Sequence, residues 1–217
     1  MARNIIDLPT LGDDGRLYRD TALDLVESLI PNPWESCHAP DLLELENGDL
    51  LCCWFAGSSE GNADISIAVA RLPAGASQWE QPVIVSDDPT RSEQNPSLFQ
   101  NPNGDIWLMY TAQAAKKPDE NNPDSMQGTA EIRRKISRDG GRTWDPTEAV
   151  FTRPGSFCRQ KIQVLSNGRW IFNNFICALD GTRLGSDVTV IQISDDQARH
   201  GAVWRFLKAG ACSRQYY

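Results

Sequence analysis

Apolar positions recur along this chain as short runs set off by polar turns, and one phrase returns three times. Residues 47–55 read NGDLLCCWF, residues 103–111 read NGDIWLMYT and residues 167–175 read NGRWIFNNF. Another short apolar run precedes each copy: DLLEL at 41–45, SLF at 97–99 and KIQVL at 161–165. Asn and Gly tolerate the positive φ angles that tight turns require, so each copy predicts a β-hairpin. A third strand-like run follows each hairpin, DISIAVARL at 64–72, TAEIRRKIS at 129–137 and SDVTVIQIS at 186–194. Trp79, Trp144 and Trp204 then stand before a fourth. The three Asn-Gly pairs begin 56 and 64 residues apart, and the three tryptophans are 65 and 60 apart. Four short strands repeating at about 60 residues predict propeller blades, since a sandwich does not repeat its landmarks at one period. Helical periodicity is weak; only LDLVESLI at 23–30 fits a short helix, and it fits a strand equally.

The chain therefore reads as all-β, with three four-stranded blades at about 38–87, 92–151 and 156–208. Residues 1–37 are expected to supply a strand to a closing blade, and residues 209–217 continue no blade pattern. Three blades are fewer than the roughly four to eight of a closed propeller ring. An open ring leaves apolar blade walls uncovered, which implies either self-association or further blades in a longer gene product.

Charge narrows the partners. The formal net charge of −8 supplies no basic stripe for nucleic-acid phosphates or anionic lipid heads, so neither is an expected partner. The first thirty residues contain no apolar signal-peptide core, and no window approaches the ~18 apolar residues of a membrane span. As written, the chain reads as cytoplasmic. Its six cysteines, at 37, 52, 53, 158, 177 and 212, show neither CxxC spacing nor a metal-ligand cluster. They read as free structural thiols, and no metal or cofactor is called for. Alternation places Cys52 and Cys53 on opposite faces of their strand.

Between the third and fourth strands of the middle repeat stands Ser137-Arg138-Asp139-Gly140-Gly141-Arg142-Thr143-Trp144, which fits S-x-D-x-G-x-T-W at every defined position. The Asp carboxylate and the two hydroxyls can hold turn amides while the indole packs back on the blade, so the motif belongs to folding and not to catalysis. An interrupted version spans 194–204, and only Trp79 remains of it in the first repeat. This Asp-box, with SCHAPDLLELENGDLLCCWFAGSSEG at 36–61, resembles the sialidase-like (BNR/Asp-box) superfamily, and within it the neuraminidase-like propellers. Gln94-Asn95-Pro96, Arg159-Gln160-Lys161 and SDVTVIQISDD at 186–196 extend the resemblance over roughly 34–206.

The resemblance implies a propeller of six or seven blades, of which these three are about half, and a glycoside hydrolase acting on an acidic oligosaccharide or polysaccharide. Typical sialidases hold the sialate carboxylate with three arginines, and pair an Asp acid/base with a Tyr nucleophile activated by a Glu. Their N-terminal Arg-Ile-Pro phrase is replaced here by Cys37-His38-Ala39-Pro40. Relatives with a histidine at this place include rhamnosidases acting next to glucuronate, and ulvan lyases, in which a His transfers the proton. Here that residue is His38. A polysaccharide lyase and a non-catalytic glycan-binding or truncated propeller stand as alternatives.

The remaining candidates come from the residues themselves. Arg159 and Lys161 begin an innermost strand on one face, where they either clamp a sugar carboxylate or bridge to a neighbouring blade. Gln94 and Asn95 occupy the matching start of the second blade and would orient sugar hydroxyls, although Asn before Pro is also a turn signal. Glu60 and Asp64 follow the second strand, where paired carboxylates do acid/base work or are merely solvated. His200 sits in a surface turn, Trp54 and Trp107 read as packing between blades, and the polar loop at 114–128 as a rim of the cleft.

Overall fold

A computed structural model describes residues 12–20, 22–117, 126–177, 187–195 and, as backbone alone, 205–211. His200, Trp204, Cys212 and the loop at 118–125 lie outside the described residues.

Three antiparallel sheets follow one another along the chain. The first is β3 (Ser36–Glu44), β4 (Leu50–Gly57), β5 (Ser66–Leu72) and β6 (Val83–Ile84), paired in that order. The second repeats the plan with β7 (Arg91–Gln100), β8 (Ile106–Ala114), β9 (Glu131–Ser137) and β10 (Glu148–Phe151). In the third, the inner strand is split into β11 (Ser156–Cys158) and β12 (Gln163–Val164), both paired to β13 (Trp170–Ile176), which is followed by β14 (Val188–Ser194) and β15 (Arg205–Ala211). The last strand thus runs three residues into the stretch that continues no pattern in the sequence. The succession of sheets is consistent with a partial propeller, and the described strands close no ring.

The repeated phrase acts as expected at each hairpin. In all three, the Asn side chain accepts a hydrogen bond from the amide two residues on, at 3.1, 3.0 and 3.1 Å. The following Gly48, Gly104 and Gly168 adopt φ of 84, 94 and 79°, a conformation that costs residues with a Cβ. The same five-residue turn is therefore built three times.

The cores lie between the blades. Leu51, Cys53, Phe55, Ile67 and Val69 of the first face Leu98, Ile106, Leu108 and Tyr110 of the second. Trp107, Met109 and Phe99 of the second meet Trp170, Phe172 and Ile162 of the third. The Trp107–Trp170 rings stand edge to face at 5.4 Å, a geometry that adds about 0.5–1.5 kcal/mol to the area term. Arg134 lies over Trp107 at 4.0 Å. Cys52 and Cys53 point to opposite walls, and the five described cysteines are free thiols.

Residues 12–35 do something the sequence did not announce. Tyr18–Asp20 (β1) and Leu25–Glu27 (β2), among the described residues, pair with each other alone, so the ambiguous segment at 23–30 contains a short strand and no helix. Leu17, Ile30 and Trp34 from this segment cover the outward wall of the first blade over Cys52, Trp54, Ala68 and Trp79, with Trp34 edge-on to Trp54 at 6.3 Å.

The Asp-box joins two blades. Ser137 Oγ accepts from Gly141 N at 2.7 Å, while Asp139 accepts from the amides of Arg142 and Thr143 at 3.0 and 2.9 Å and from the Thr143 hydroxyl at 2.5 Å. The turn then docks on the first blade, where Arg71 donates to the Gly140 carbonyl and is ion-paired with buried Asp49. Trp144 packs against the core between these two blades. A Cβ on Gly141 would stand 2.8 Å from Leu51 Cδ1.

Candidate functional site

Every inner strand is interrupted at one level. The register of β3 slips between His38 and Asp41, that of β7 slips between Gln94 and Ser97, and residues 159–162 separate β11 from β12. Ala39 and Asn95, each before a proline, take φ of 53 and 49° at these bulges. A bulge re-aims the side chains around it, and two bulges and one strand break at one level turn three short segments toward a common space. That space is a cleft of about 440 Å³, walled by Ala39-Pro40-Asp41, Asn95-Pro96-Ser97, Arg159-Gln160-Lys161 and Gln163.

Its polar groups are largely tied to one another across blades. Asp41 Oδ2 accepts from the Leu98 amide at 2.8 Å, and Asp41 Oδ1 stands 3.1 Å from Lys161 Nζ. Lys161 also donates to the Leu42 carbonyl, so the third blade reaches past the second to the first. Ser97 Oγ donates to the Gln160 carbonyl at 3.2 Å. Arg159 differs: it is exposed on the cleft wall and, among the described residues, has neither an ion pair nor a hydrogen bond. Two cations against one carboxylate leave the described wall net positive in a chain of net −8.

The other sequence candidates fall in different surroundings. His38 precedes the cleft residue Ala39; it is exposed, edge-on to Phe55 at 5.4 Å, with Nδ1 at 3.9 Å from Glu60 Oε2. Asp64 is occupied in stapling its loop, accepting from Ser58 N at 3.0 Å and Ser58 Oγ at 2.9 Å. Gln94 is buried and donates to Ser92 Oγ at 2.9 Å, whereas Asn95 lies on the cleft wall. The fold thus brings Asn95, Arg159 and Lys161 together and sets His38 with Glu60 beside them. Trp54 and Trp107 are buried between packing layers.

Asp41 escaped the sequence reading because DLLEL reads only as a strand. A signal was present: counting six residues back from Asn47, Asn103 and Asn167 reaches Asp41, Ser97 and Lys161, which occupy one level of the cleft. Three buried thiols, Cys52, Cys53 and Cys158, are held in the protonated form. Burial pushes Cys52 up to about 11, with the Asp41 charge adding to it, and burial raises Cys53 and Cys158 further. Tyr110, fully buried, is likewise raised by burial.

Comparison with known proteins identifies the fold that carries this cleft. The family model for a BNR repeat-like domain matches residues 48–215. Comparison with curated proteins gives no match. Among solved structures, the Hadza microbial sialidase Hz136 superposes with a TM-score of 0.64 at 17% identity, over 87% of this chain and 42% of that one. The NanB sialidase from Streptococcus pneumoniae gives 0.59 at 12%, over 89% and 48%. The intramolecular trans-sialidase from Ruminococcus gnavus gives 0.59 at 14%, over 83% and 62%. This chain spans about half the length of these structures. With the family model covering most of its length and the blades built as described, the chain belongs to the BNR repeat-like domain family and has a sialidase-like fold.

Proposed function

We propose that the protein is a sialidase-like glycoside hydrolase of acidic glycans, in which Arg159 holds the sugar carboxylate and His38, backed by Glu60, delivers a proton to the glycosidic oxygen. The observation that carries this reading is Arg159, a guanidinium with no partner among the described residues, on the wall of a cleft of about 440 Å³. A guanidinium offers a carboxylate two parallel hydrogen bonds, and the net positive wall favours such a ligand over a neutral one. The cleft volume falls in the range of about 300–1,000 Å³ usual for small-ligand sites. His38 Nδ1 faces Glu60, which leaves Nε2 as the atom that exchanges the proton. Protonation of the leaving oxygen lets the C–O bond break, and water bonds to the sugar carbon while its surplus proton returns, through solvent, to the imidazole. The same His, used as a base beside an Arg-bound uronate, would instead serve elimination.

The test is an assay of sialyl-lactose, a rhamnosyl-glucuronate disaccharide and a uronate polysaccharide. Sugar release and the ultraviolet absorbance of unsaturated product are followed for wild type, Arg159→Ala and His38→Ala. Arg159→Ala is expected to raise KM at least about tenfold, and His38→Ala to lower kcat by about 10²–10⁴. Equal turnover by wild type and His38→Ala sinks the proton-transfer role. Unsaturated product assigns elimination, and Arg159-dependent binding without turnover assigns a non-catalytic glycan-binding cleft.

A further inference from the structure

We infer that Asp41 limits the cleft to ligands carrying a single negative charge, by holding Lys161 away from the ligand. This rests on the reading that the cleft takes an acidic glycan. Both oxygens of Asp41 are engaged, one by the Leu98 amide at 2.8 Å and one by Lys161 at 3.1 Å. Lys161 in turn places a second donor on the Leu42 carbonyl. The ammonium is therefore fixed from two sides by the first blade, and its charge is matched by a carboxylate that is only 19% exposed.

The three inner strands make the charge arrangement explicit. At the level of Ala39, Asn95 and Arg159, the cleft carries one uncompensated positive charge. Two residues further along each strand, Asp41, Ser97 and Lys161 sum to zero. A carboxylate at the first level meets Arg159 alone. A second anionic group, such as a sulfate ester on the same sugar, meets a lysine already paired and the carboxylate that pairs it, and this neutral pair offers it little net attraction. The ligand class this favours is a uronate or a 2-keto acid sugar without further sulfation. Asp41 is a positioning residue in this account, since it acts through Lys161.

The experiment uses three probes: a neutral disaccharide, the same disaccharide ending in glucuronate, and that glucuronate disaccharide bearing one sulfate ester. Calorimetric affinities are measured for wild type, Asp41→Asn and the double variant Asp41→Asn/Lys161→Gln. Asn keeps an oxygen for the Leu98 amide, and circular dichroism with thermal melting checks that each protein is folded. Labelling of Lys161 by an amine-reactive ester, read by mass spectrometry, reports release of the ammonium without any ligand.

Wild type is expected to prefer the glucuronate probe to the neutral one by at least about tenfold and to gain less than about twofold from the sulfate. Asp41→Asn is expected to label several-fold faster at Lys161 and to gain about tenfold from the sulfate, and the double variant to lose that gain. A sulfate gain equal in wild type and Asp41→Asn overturns the inference while leaving the acidic-glycan reading intact. Unchanged labelling of Lys161 also overturns it. Absence of any preference for the glucuronate probe in all three proteins overturns both readings together.

Discussion

Asp139 and Asp88 are surface carboxylates whose neighbours decide how the molecule meets acid. The Thr143 hydroxyl, seconded by its amide, holds Asp139 well below the usual carboxylate range. The Thr90 hydroxyl and amide, with Arg133, bring Asp88 down to about 2. Each binds its proton less readily folded than unfolded, where the ordinary value is 3.8. Their stabilisation is complete above that value and is lost as pH falls through the folded values. Glu93 works in the opposite sense, because burial raises it. Asp49, held down by the Ala74 amide, shifts the same way, and three lowered carboxylates against one raised predict urea midpoints that fall between about pH 4 and pH 2, with a shallower fall for Asp139→Asn. Midpoints flat across that range in wild type would remove this account of all three aspartates. Asp139 was readable from its own octapeptide because all of its partners lie within four residues. Asp88 was so only in part: Thr90 lies two residues on, whereas Arg133 is 45 residues away.

At the scale of the strand, what matters is the interruption of each inner strand. A residue before proline is steered to extended backbone, and Ala39 and Asn95 are found instead at φ of 53 and 49°. Asn tolerates this conformation and Ala does not, at a cost of roughly 1 kcal/mol. Replacing Ala39 by Gly is expected to leave stability unchanged within about 0.5 kcal/mol or to raise it, because the relief of strain opposes the added freedom of the unfolded chain. Asn95→Val should cost about 2 kcal/mol, since a β-branched side chain fits that backbone poorly. Denaturant titration of the two variants checks the pair, and a larger loss for Ala39→Gly than for Asn95→Val contradicts it. The hairpins and the strand order were visible in the sequence because Asn-Gly has local consequences. The bulges were hidden, since nothing in Ala39-Pro40 marks a break and the level at which the strands break is a property of their pairing.

The molecule as a whole is a set of walls pressed together. The first blade's outward wall, with Cys52, Trp54 and Trp79, is covered by Leu17, Ile30 and Trp34. On the third blade the corresponding side carries Ile171, Phe175, Ile191 and Ile193, all part-exposed among the described residues. Removing the indole of Trp34 should therefore matter beyond its own contacts. Trp34→Ala is expected to cost about 2 kcal/mol and to raise binding of an apolar dye, measured by denaturation and fluorescence. A variant as stable and as dye-silent as wild type would mean that the segment covers nothing of consequence. This role was not visible in MARNIIDLPTLGDDGRLYRDTALDLVESLI, whose apolar residues are too scattered to show a period.

The link from Lys161 to Asp41 and the Leu42 carbonyl gives the cleft a place in time as well as in space. Lys161 and Leu42 are 119 residues apart in the chain, and the blade between them contributes neither group. During synthesis the core joining the first two sheets can form before residue 159 has left the ribosome, but the cleft cannot. Contacts so distant in sequence pay their loop-closure entropy late, so the cleft matures after the core that joins the first two sheets. Until then Asp41 faces solvent without its counter-charge, and only completion of the third inner strand turns that loose carboxylate into one wall of a binding site.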